Sequence, residues 1–427
     1  MEERLHEFTK VLERELVPAM GCTEPIAIAF ACAKAKEILA DEVEKVDIYA
    51  SGSIIKNVKS VTVPNTDGKK GIQSAAAIGI VAGDPDLSLE VLSKVNKQQI
   101  LDMEAFMERV PIKVHHLKTK CTLDIVVKLE AKEHSCILEI QNEHDHIVYI
   151  EKDGVCQFDK STQAAGMDEL ANVEFTMKDI YTYATEVELD EVKAILDRQI
   201  EYNMAIAKEG LKNPHGVNIG SILLSQNPDS TFAKAKAYAA AGSDARMSGC
   251  EMPVIINSGS GNQGMTVSLP VIVYANDLGK DKETLYRALL VSNLVALYQK
   301  KYIGRLSAFC GAVSAGAAAG AGIAYLLDQS LDTICHTIVN ALAITSGLLC
   351  DGAKPSCAAK IAASVDAGIL GCMMYKENGK QFYRGEGIVF SNADQTIRNV
   401  GQIACDGMKQ TNEEIIRLMV SDIDEEN

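Results

Sequence analysis

The stretch from Leu306 to Leu327 constrains the fold more than any other part of the chain, because its 22 residues carry no charge. As a helix it is long enough to span a bilayer. Most of its residues are Ala, Gly and Ser, however, which contribute little transfer free energy, and Arg305 directly precedes it. We therefore expect a fully buried helix rather than a membrane span, with side chains small enough for neighbouring backbones to approach closely.

Composition narrows the possible partners. The chain has 427 residues and a net charge of −16, with 42 Lys plus Arg against 58 Asp plus Glu. Nucleic-acid binding needs clustered Lys and Arg to contact phosphates, and no basic cluster is present. There is no Trp, and aromatic residues make up 5% of the chain, so base-stacking platforms are not expected either. A small-molecule ligand fits this composition better than a nucleic acid or a membrane.

The hydrophobic periodicity changes twice along the chain and predicts an α+β fold in three parts. Residues 1–45 are expected to form helices that pack on the rest of the protein, and residues 46–170 a small α+β domain with short β-branched strands. Residues 171–427 are expected to form a large helical domain. The polar run Glu143-His144-Asp145-His146 is interpreted as a solvated face of the sheet rather than as a metal site.

Twelve cysteines need an explanation. The charged N-terminal run MEERLHEFTKVLEREL is not a signal peptide, which favours the reducing cytoplasm, where cysteines are core residues, nucleophiles or metal ligands. Most are expected to be buried as small hydrophobic residues. Cys250 stays undecided. The seven that fit apolar helix or sheet patterns are Cys32, Cys121, Cys136, Cys156, Cys335, Cys372 and Cys405.

The other four cysteines lie where helices begin or where Gly and Pro interrupt the chain. Cys22 precedes a predicted helix with Thr23 as its N-cap, so the helix dipole would lower the thiol pKa and favour the thiolate. Cys310 begins the small-residue helix. Cys350 and Cys357 bracket a turn that could direct both sulfurs at one metal. The Cys-x6-Cys spacing alone is weak evidence, so a metal site and ordinary turn cysteines both remain open.

The Gly-, Ser- and Asn-rich loop from Asn257 to Gly264 leads into an apolar helix. Its backbone N–H groups and hydroxyls could bind an anion such as a substrate carboxylate. It formally contains a G-x-G-x-x-G pattern, but the βαβ context of a dinucleotide site is missing.

Five ordered motifs together resemble the serine dehydratase alpha-chain-like family, and within it the L-cysteine desulfidase branch. The resemblance extends over nearly the whole chain. The motifs are Gly21-Cys22-Thr23-Glu24-Pro25, Ser51-Gly52-Ser53-x-x-Lys56-Asn57, Asn257 to Gly264, Tyr302-Ile303-Gly304-Arg305-Leu306-Ser307-Ala308-x-Cys310 and Cys350-Asp351-Gly352-Ala353-Lys354-x-x-Cys357.

The resemblance implies a 4Fe-4S cluster held by Cys310, Cys350 and Cys357, with one iron left open as a Lewis acid. The implied reaction is the elimination of sulfide from L-cysteine, which yields pyruvate and ammonia. Cys22 is the candidate base, and it could instead ligate the open iron. The candidates for the substrate carboxylate are Ser258, Ser260, Asn262 and, more weakly, Arg305. Lys56 and Asn57 are assigned to the site by the motif alone.

Other functions remain open at this point. L-serine dehydration would use the same cluster, a cluster-bearing redox or iron sensor would have no turnover, and a pyridoxal-phosphate lyase lacks a convincing Lys-centred loop. The sequence leaves the oligomeric state open, with a homo-oligomer as one option.

Overall fold

A computed structural model describes residues 2–161, 173–379, 382 and 387–420 of the chain. It confirms the expected α+β class: a small sheet-containing region near the N-terminus is followed by a large helical region. The N-terminal region comprises α1 (Glu2–Glu15), β1 (Pro18–Met20), α2 (Thr23–Leu39), β2 (Lys45–Ser51), α3 (Gly52–Val58), α4 (Gly71–Ala82), α5 (Lys97–Arg109), β3 (Ile112–Leu117), β4 (Asp124–Glu130), β5 (Ser135–Gln141), β6 (Ile147–Lys152) and β7 (Val155–Asp159).

Six of these strands form one sheet in the order β3-β2-β4-β5-β6-β7. Strands β2 and β3 are parallel, and all other neighbours are antiparallel. Helices α2 and α4 pack against each other, and α2 also covers β4 and β5. Helix α2 is apolar on almost every side, from Ile26 to Ala33, which explains why nearly all of it is buried.

The helical region contains α6 (Met177–Glu186), α7 (Leu189–Lys212), α8 (Ile219–Gln226), α9 (Thr231–Met247), the short strand β8 (Pro253–Ile255), α10 (Gly261–Asp277), α11 (Lys282–Ile303), α12 (Gly311–Asp328), α13 (Leu331–Thr345), α14 (Cys357–Asn378), α15 (Ala393–Gln402) and α16 (Lys409–Val420). Strand β8 pairs antiparallel with β1 and so ties the N-terminal segment to this region.

Helix α12 is the small-residue helix, and every residue from Ala312 to Leu326 is buried. It packs against α10, α11, α13 and α14. At Gly320 a Cβ would lie 2.6 Å from the carbonyl oxygen of Gly368 in α14, so the two backbones are in direct contact. The expected burial is confirmed, but the helix begins at Gly311, five residues later than predicted from Leu306.

Two helices are long and apolar enough to cross a membrane, α12 and α14, with mean hydropathy of 1.2 and 1.4 over 18 residues. The protein itself buries 83% and 56% of those two windows. Core helices pass the same test, so these helices are weak evidence for membrane insertion.

Two predictions about cysteines are wrong, since Cys156 and Cys405, expected in the core, are exposed. The motif from Ser51 to Asn57 comprises the end of β2 and most of helix α3. Residues Pro85–Glu90 form a 3-10 turn, in which Ser88 has φ +46° and interrupts a regular helix.

Candidate functional site

A cavity of about 110 Å³ lies where several helices begin. Cys22, Ser260 and Cys310 are the N-caps of α2, α10 and α12, and Cys357 is the first residue of α14. Each helix directs its positive end toward this region, which favours a bound anion. The polar and ionisable side chains that line the cavity are Cys22, Glu24, Asn57, Arg246, Ser260, Asn262, Gln263, Thr266, Lys300, Arg305, Ser307, Cys310, Cys350 and Cys357.

Backbone pairing brings Cys310 and Cys350 together although they are far apart in the sequence. Phe309 and Leu349 form an isolated β-bridge, and the amide nitrogens of Cys310 and Cys350 donate to Leu348 and Ala308 at 3.1 and 2.7 Å. The two thiols lie within hydrogen-bonding reach, and this contact lowers the pKa of Cys350 while it raises that of Cys310. Lys56 also stabilises the Cys350 thiolate.

The turn between Cys350 and Cys357 wraps tightly over α3. Gly352 has φ +96°, and a Cβ there would clash with the carbonyl oxygen of Lys56, so only glycine suits this position. The Cys357 amide donates to Lys354 O at 2.9 Å, which closes the turn before α14. This close contact between the turn and α3 determines the position of Cys357 at the cavity.

Three cysteines that line the cavity could together hold a metal centre. Within the part of the chain that the structure describes, no three His, Cys, Asp or Glu side chains converge tightly enough to bind one metal ion. The cysteines of a cubane cluster bind different iron atoms, so they lie around a cavity rather than at one point. Cys310, Cys350 and Cys357 line one cavity, so their thiolates could be ligands of an iron-sulfur cluster.

Two buried lysines supply positive charge beside these cysteines. Lys56 is 2% exposed, and its amine donates to Asn412 Oδ1 at 2.8 Å, Cys350 O at 3.3 Å and Ser307 O at 3.5 Å. Lys300 donates to Arg305 O at 3.1 Å, and burial lowers its pKa to about 8. An anionic group in the cavity would offset the cost of burying these cations.

The environment of Cys22 differs from the one predicted. Burial raises the pKa of the thiol well above its usual value, and the adjacent Glu24 carboxylate raises it further. The thiol donates to Glu24 Oε2 at 3.0 Å, and Asn57 Nδ2 donates to Glu24 Oε1 at 2.9 Å. Thr23 is not the N-cap; its hydroxyl donates to Gly259 O at 2.8 Å. The expectation of a lowered thiol pKa is wrong because desolvation outweighs the helix dipole.

Most of the polar residues predicted for the site lie at the cavity. Asn57, Ser260, Asn262 and Arg305 line it, whereas the Ser258 hydroxyl is not among the lining groups and donates to Asn257 Oδ1 at 2.8 Å. Arg305 pairs with Glu15 at 2.7 Å and lies 3.6 Å from Glu143.

Sequence reasoning missed several residues of this region, including the buried Lys300. Glu24, Arg246 and Gln263 also line the cavity, and Glu24 and Gln263 could have been flagged as polar residues at the start of largely apolar helices. His144 was expected on a solvated face. It is instead 5% exposed, and its ring packs on Gly259, so that prediction is wrong. Burial lowers the pKa of His144.

Comparisons with known proteins agree with this architecture. The family model described as "Serine dehydratase alpha chain" matches residues 86–417. That range includes Cys310, Cys350, Cys357 and Arg246 but begins after Cys22, Glu24 and Asn57.

Relatives extend over nearly the whole chain. A UPF0597 protein of Desulfitobacterium hafniense is 51% identical over 415 residues, which cover 97% of this chain and 96% of that protein. A UPF0597 protein of Finegoldia magna is 50% identical over 97% of this chain and 99% of its own length. A UPF0597 protein of Treponema denticola is 41% identical over 99% and 100%. The chain therefore belongs to the serine dehydratase alpha-chain family.

Proposed function

We propose that this protein is an iron-sulfur lyase of the reducing cytoplasm that eliminates sulfide from L-cysteine, giving pyruvate and ammonia. The second candidate is L-serine dehydration at the same site, because the matched family is described by a serine dehydratase chain. The observation that carries the proposal is the arrangement of Cys310, Cys350 and Cys357 around one cavity beside two buried lysines.

In this proposal the three cysteines hold a 4Fe-4S cluster, and their surroundings suit its negative charge. Helices α12 and α14 begin at Cys310 and Cys357, and Lys56 and Lys300 are buried close by. When bound, a cluster with an open iron would supply a Lewis acid that polarises the substrate's leaving group. Cysteine is favoured over serine because a thiolate is the softer ligand.

Cys22 and Glu24 provide the proton acceptor as a pair. The Cys22 Sγ and Glu24 Oε2 atoms are 3.0 Å apart and share one proton, which lies on sulfur when the carboxylate is ionised. If that proton moves to Glu24, the sulfur becomes a thiolate. The pair can therefore accept the substrate's Cα proton at either atom, although burial opposes an isolated thiolate. Asn57 keeps the carboxylate oriented through its amide.

An anaerobic assay of the reconstituted protein tests the reaction. We expect sulfide and pyruvate to be released from L-cysteine with a kcat/KM at least about tenfold above that for pyruvate release from L-serine. Faster turnover of serine would select the second candidate, and absence of turnover with both would contradict a lyase. An absorption spectrum with thiolate-to-iron bands rather than a pyridoxal imine band is also expected.

The proton acceptor is tested with Glu24→Gln. Loss of the acceptor should lower kcat about 10²- to 10⁴-fold, while the iron content stays at the wild-type value. Glu251→Gln, at an exposed position that does not line the cavity, is the matched control and should keep full activity. A Glu24→Gln variant with wild-type kcat would exclude Glu24 from proton transfer.

A further inference from the structure

Arg246, in the last turn of α9, is a buried cation at the cavity. Arg246 is 3% exposed, and its Nε atom has no hydrogen-bond partner among the described residues. No carboxylate of the described residues lies within ion-pair distance of it. A guanidinium buried in this way is costly unless an anion meets it, so the missing partner points to a ligand.

Arg305, also at the cavity, is in a different situation. It forms an ion pair with Glu15 at 2.7 Å and approaches Glu143 at 3.6 Å. Carboxylates of the protein thus pair directly with Arg305, whereas Arg246 interacts with the Glu24 carboxylate only at longer range and keeps room for a direct anionic partner in the cavity. The two arginines therefore have separate roles.

The guanidinium of Arg246 is held in place by the start of α10. It packs against Gly261, where a Cβ would clash with the arginine Nε and lie 2.8 Å from Cζ. Because Gly261 is the first residue of α10, the guanidinium lies beside the positive end of that helix. Both groups favour a carboxylate at the same place.

Besides the unpaired Arg246 donor, the cavity has buried hydrogen-bond acceptors without a partner. Asn57 Oδ1, Asn262 Oδ1 and Gln263 Oε1 are buried atoms without a hydrogen-bond partner, and all three residues line the cavity. Such atoms are costly to leave unsatisfied. A ligand that offers both an anionic acceptor and a cationic donor would satisfy the whole set, and an α-amino acid zwitterion does so.

We infer that Arg246 binds the α-carboxylate of the substrate, and that Asn57, Asn262 and Gln263 accept hydrogen bonds from its ammonium group. The inference deepens the proposed function and rests on its substrate class. It makes Arg246 the residue that selects α-amino acids over their amides and over simple amines, and it moves the carboxylate contact away from Ser258 and Arg305.

The test is anaerobic calorimetric titration of the iron-loaded protein with L-alanine and L-alaninamide. L-alanine has the zwitterion but no leaving group on its β-carbon, and L-alaninamide lacks the carboxylate. Wild type should bind L-alanine at least about tenfold more tightly than L-alaninamide. Arg246→Gln should weaken L-alanine binding about 10- to 150-fold, the effect of losing a charge-assisted hydrogen bond, and leave L-alaninamide binding unchanged.

Arg198→Gln is the matched control. Arg198 is half-buried and also has an unpaired Nε, but it does not line the cavity, so its loss should not change L-alanine binding. Arg246→Lys keeps the positive charge but lacks the planar guanidinium, which can bind a carboxylate through two hydrogen bonds. It should bind L-alanine more weakly than wild type. This variant provides the test if Arg246→Gln fails to retain iron.

Either of two results would overturn the inference: wild type that binds L-alanine no better than L-alaninamide, or Arg246 variants that bind L-alanine as tightly as wild type. Turnover is scored separately. A protein that binds L-alanine through Arg246 but releases neither sulfide nor pyruvate would contradict the proposed function and leave the carboxylate contact standing.

Discussion

At the scale of single residues, the cavity cysteines differ in how closely the fold constrains them. Cys350 is joined to Cys310 by backbone pairing and is contacted through its carbonyl by Lys56. Cys357 depends on the turn that crosses α3 at Gly352. Each sulfur is positioned by different segments, so replacing one should leave the positions of the other two largely unchanged.

We expect Cys357→Ser to fold but to lose most of its iron, because a hydroxyl is a poor substitute for a thiolate ligand. Iron and acid-labile sulfide per chain, measured after anaerobic reconstitution, check this. Cys250→Ser is the control, since Cys250 is half-buried like Cys357 but does not line the cavity. Full iron content in Cys357→Ser would contradict the three-cysteine ligand set.

Asp244 gives a prediction for the pH dependence of stability. The residue is fully buried, and burial raises its pKa from 3.8 to about 6. Between these values the folded protein keeps a proton that the unfolded chain has released, so the free energy of unfolding falls as pH rises toward 6. The two pKa values differ by about 2, which corresponds to about 3 kcal/mol.

Asp244→Asn should remove this dependence, because its amide oxygen can still accept the hydrogen bond from the Gly220 N–H, which is 3.0 Å long. Denaturant unfolding of both proteins from pH 4.5 to 7.5 measures the difference. The gap in stability between variant and wild type should widen up to about pH 6 and then stay constant. Parallel curves would show that Asp244 ionises normally in the folded protein.

At the scale of secondary-structure elements, the contact between α12 and α14 is the tightest constraint on the site. Gly316 and Gly320 of α12 lie against Ser364 and Gly368 of α14, backbone to backbone. Each helix carries a cavity cysteine at its N-terminal end. Glycines well away from the cavity therefore set the distance between two of the sulfurs.

Gly320→Ala should destabilise the protein by about 1–3 kcal/mol, because the new Cβ would lie 2.6 Å from the carbonyl oxygen of Gly368. It should also lower iron content by moving Cys310 relative to Cys357. Gly347→Ala is the control, since a Cβ there meets no atom within 4 Å. Urea unfolding and iron analysis of both variants test this prediction. Equal free energies of unfolding for the two variants would refute close packing of α12 on α14.

Sequence patterns predicted the secondary-structure elements well, but they did not predict the pKa shifts and charge contacts of the site. The uncharged stretch of small residues predicted the buried α12, and helix-start and turn signals singled out Cys22, Cys310, Cys350 and Cys357. Local signals cannot report the desolvation that raises the Cys22 pKa, because burial there depends on segments distant in sequence. The same holds for Arg246, which packs on Gly261 from another helix.

At the scale of the whole molecule, both regions contribute to one cavity. Cys22, Glu24 and Asn57 come from the N-terminal region, and Arg246, Lys300 and the three proposed ligands come from the helical one. His144 reaches the Gly259 loop from the sheet. A cluster bound at this junction would add to the strand pairing, hydrogen bonds and packing that already join these segments.

Removal of iron should therefore lower the stability of the whole protein. A cluster that binds only the folded state stabilises it by mass action, so anaerobic treatment with a chelator should lower the Tm by about 5 °C or more. Reconstitution should restore the Tm. Cys357→Ser, which is expected to hold little iron, should show no response to the chelator; an equal response in both proteins would place the metal elsewhere.

The residues that line the cavity are far apart in the sequence, so the cavity can form only late in translation. Cys22 and Cys357 are separated by 357 − 22 = 335 residues. At about 5–20 residues per second, the ribosome needs about 20 to 70 s to pass from one to the other. During that interval the cavity residues near Cys22 have no opposite wall, and the set of Cys310, Cys350 and Cys357 is incomplete until its last member has been made. In the proposed holoprotein, all three cysteine ligands are therefore available for a cluster only after Cys357 has been synthesised.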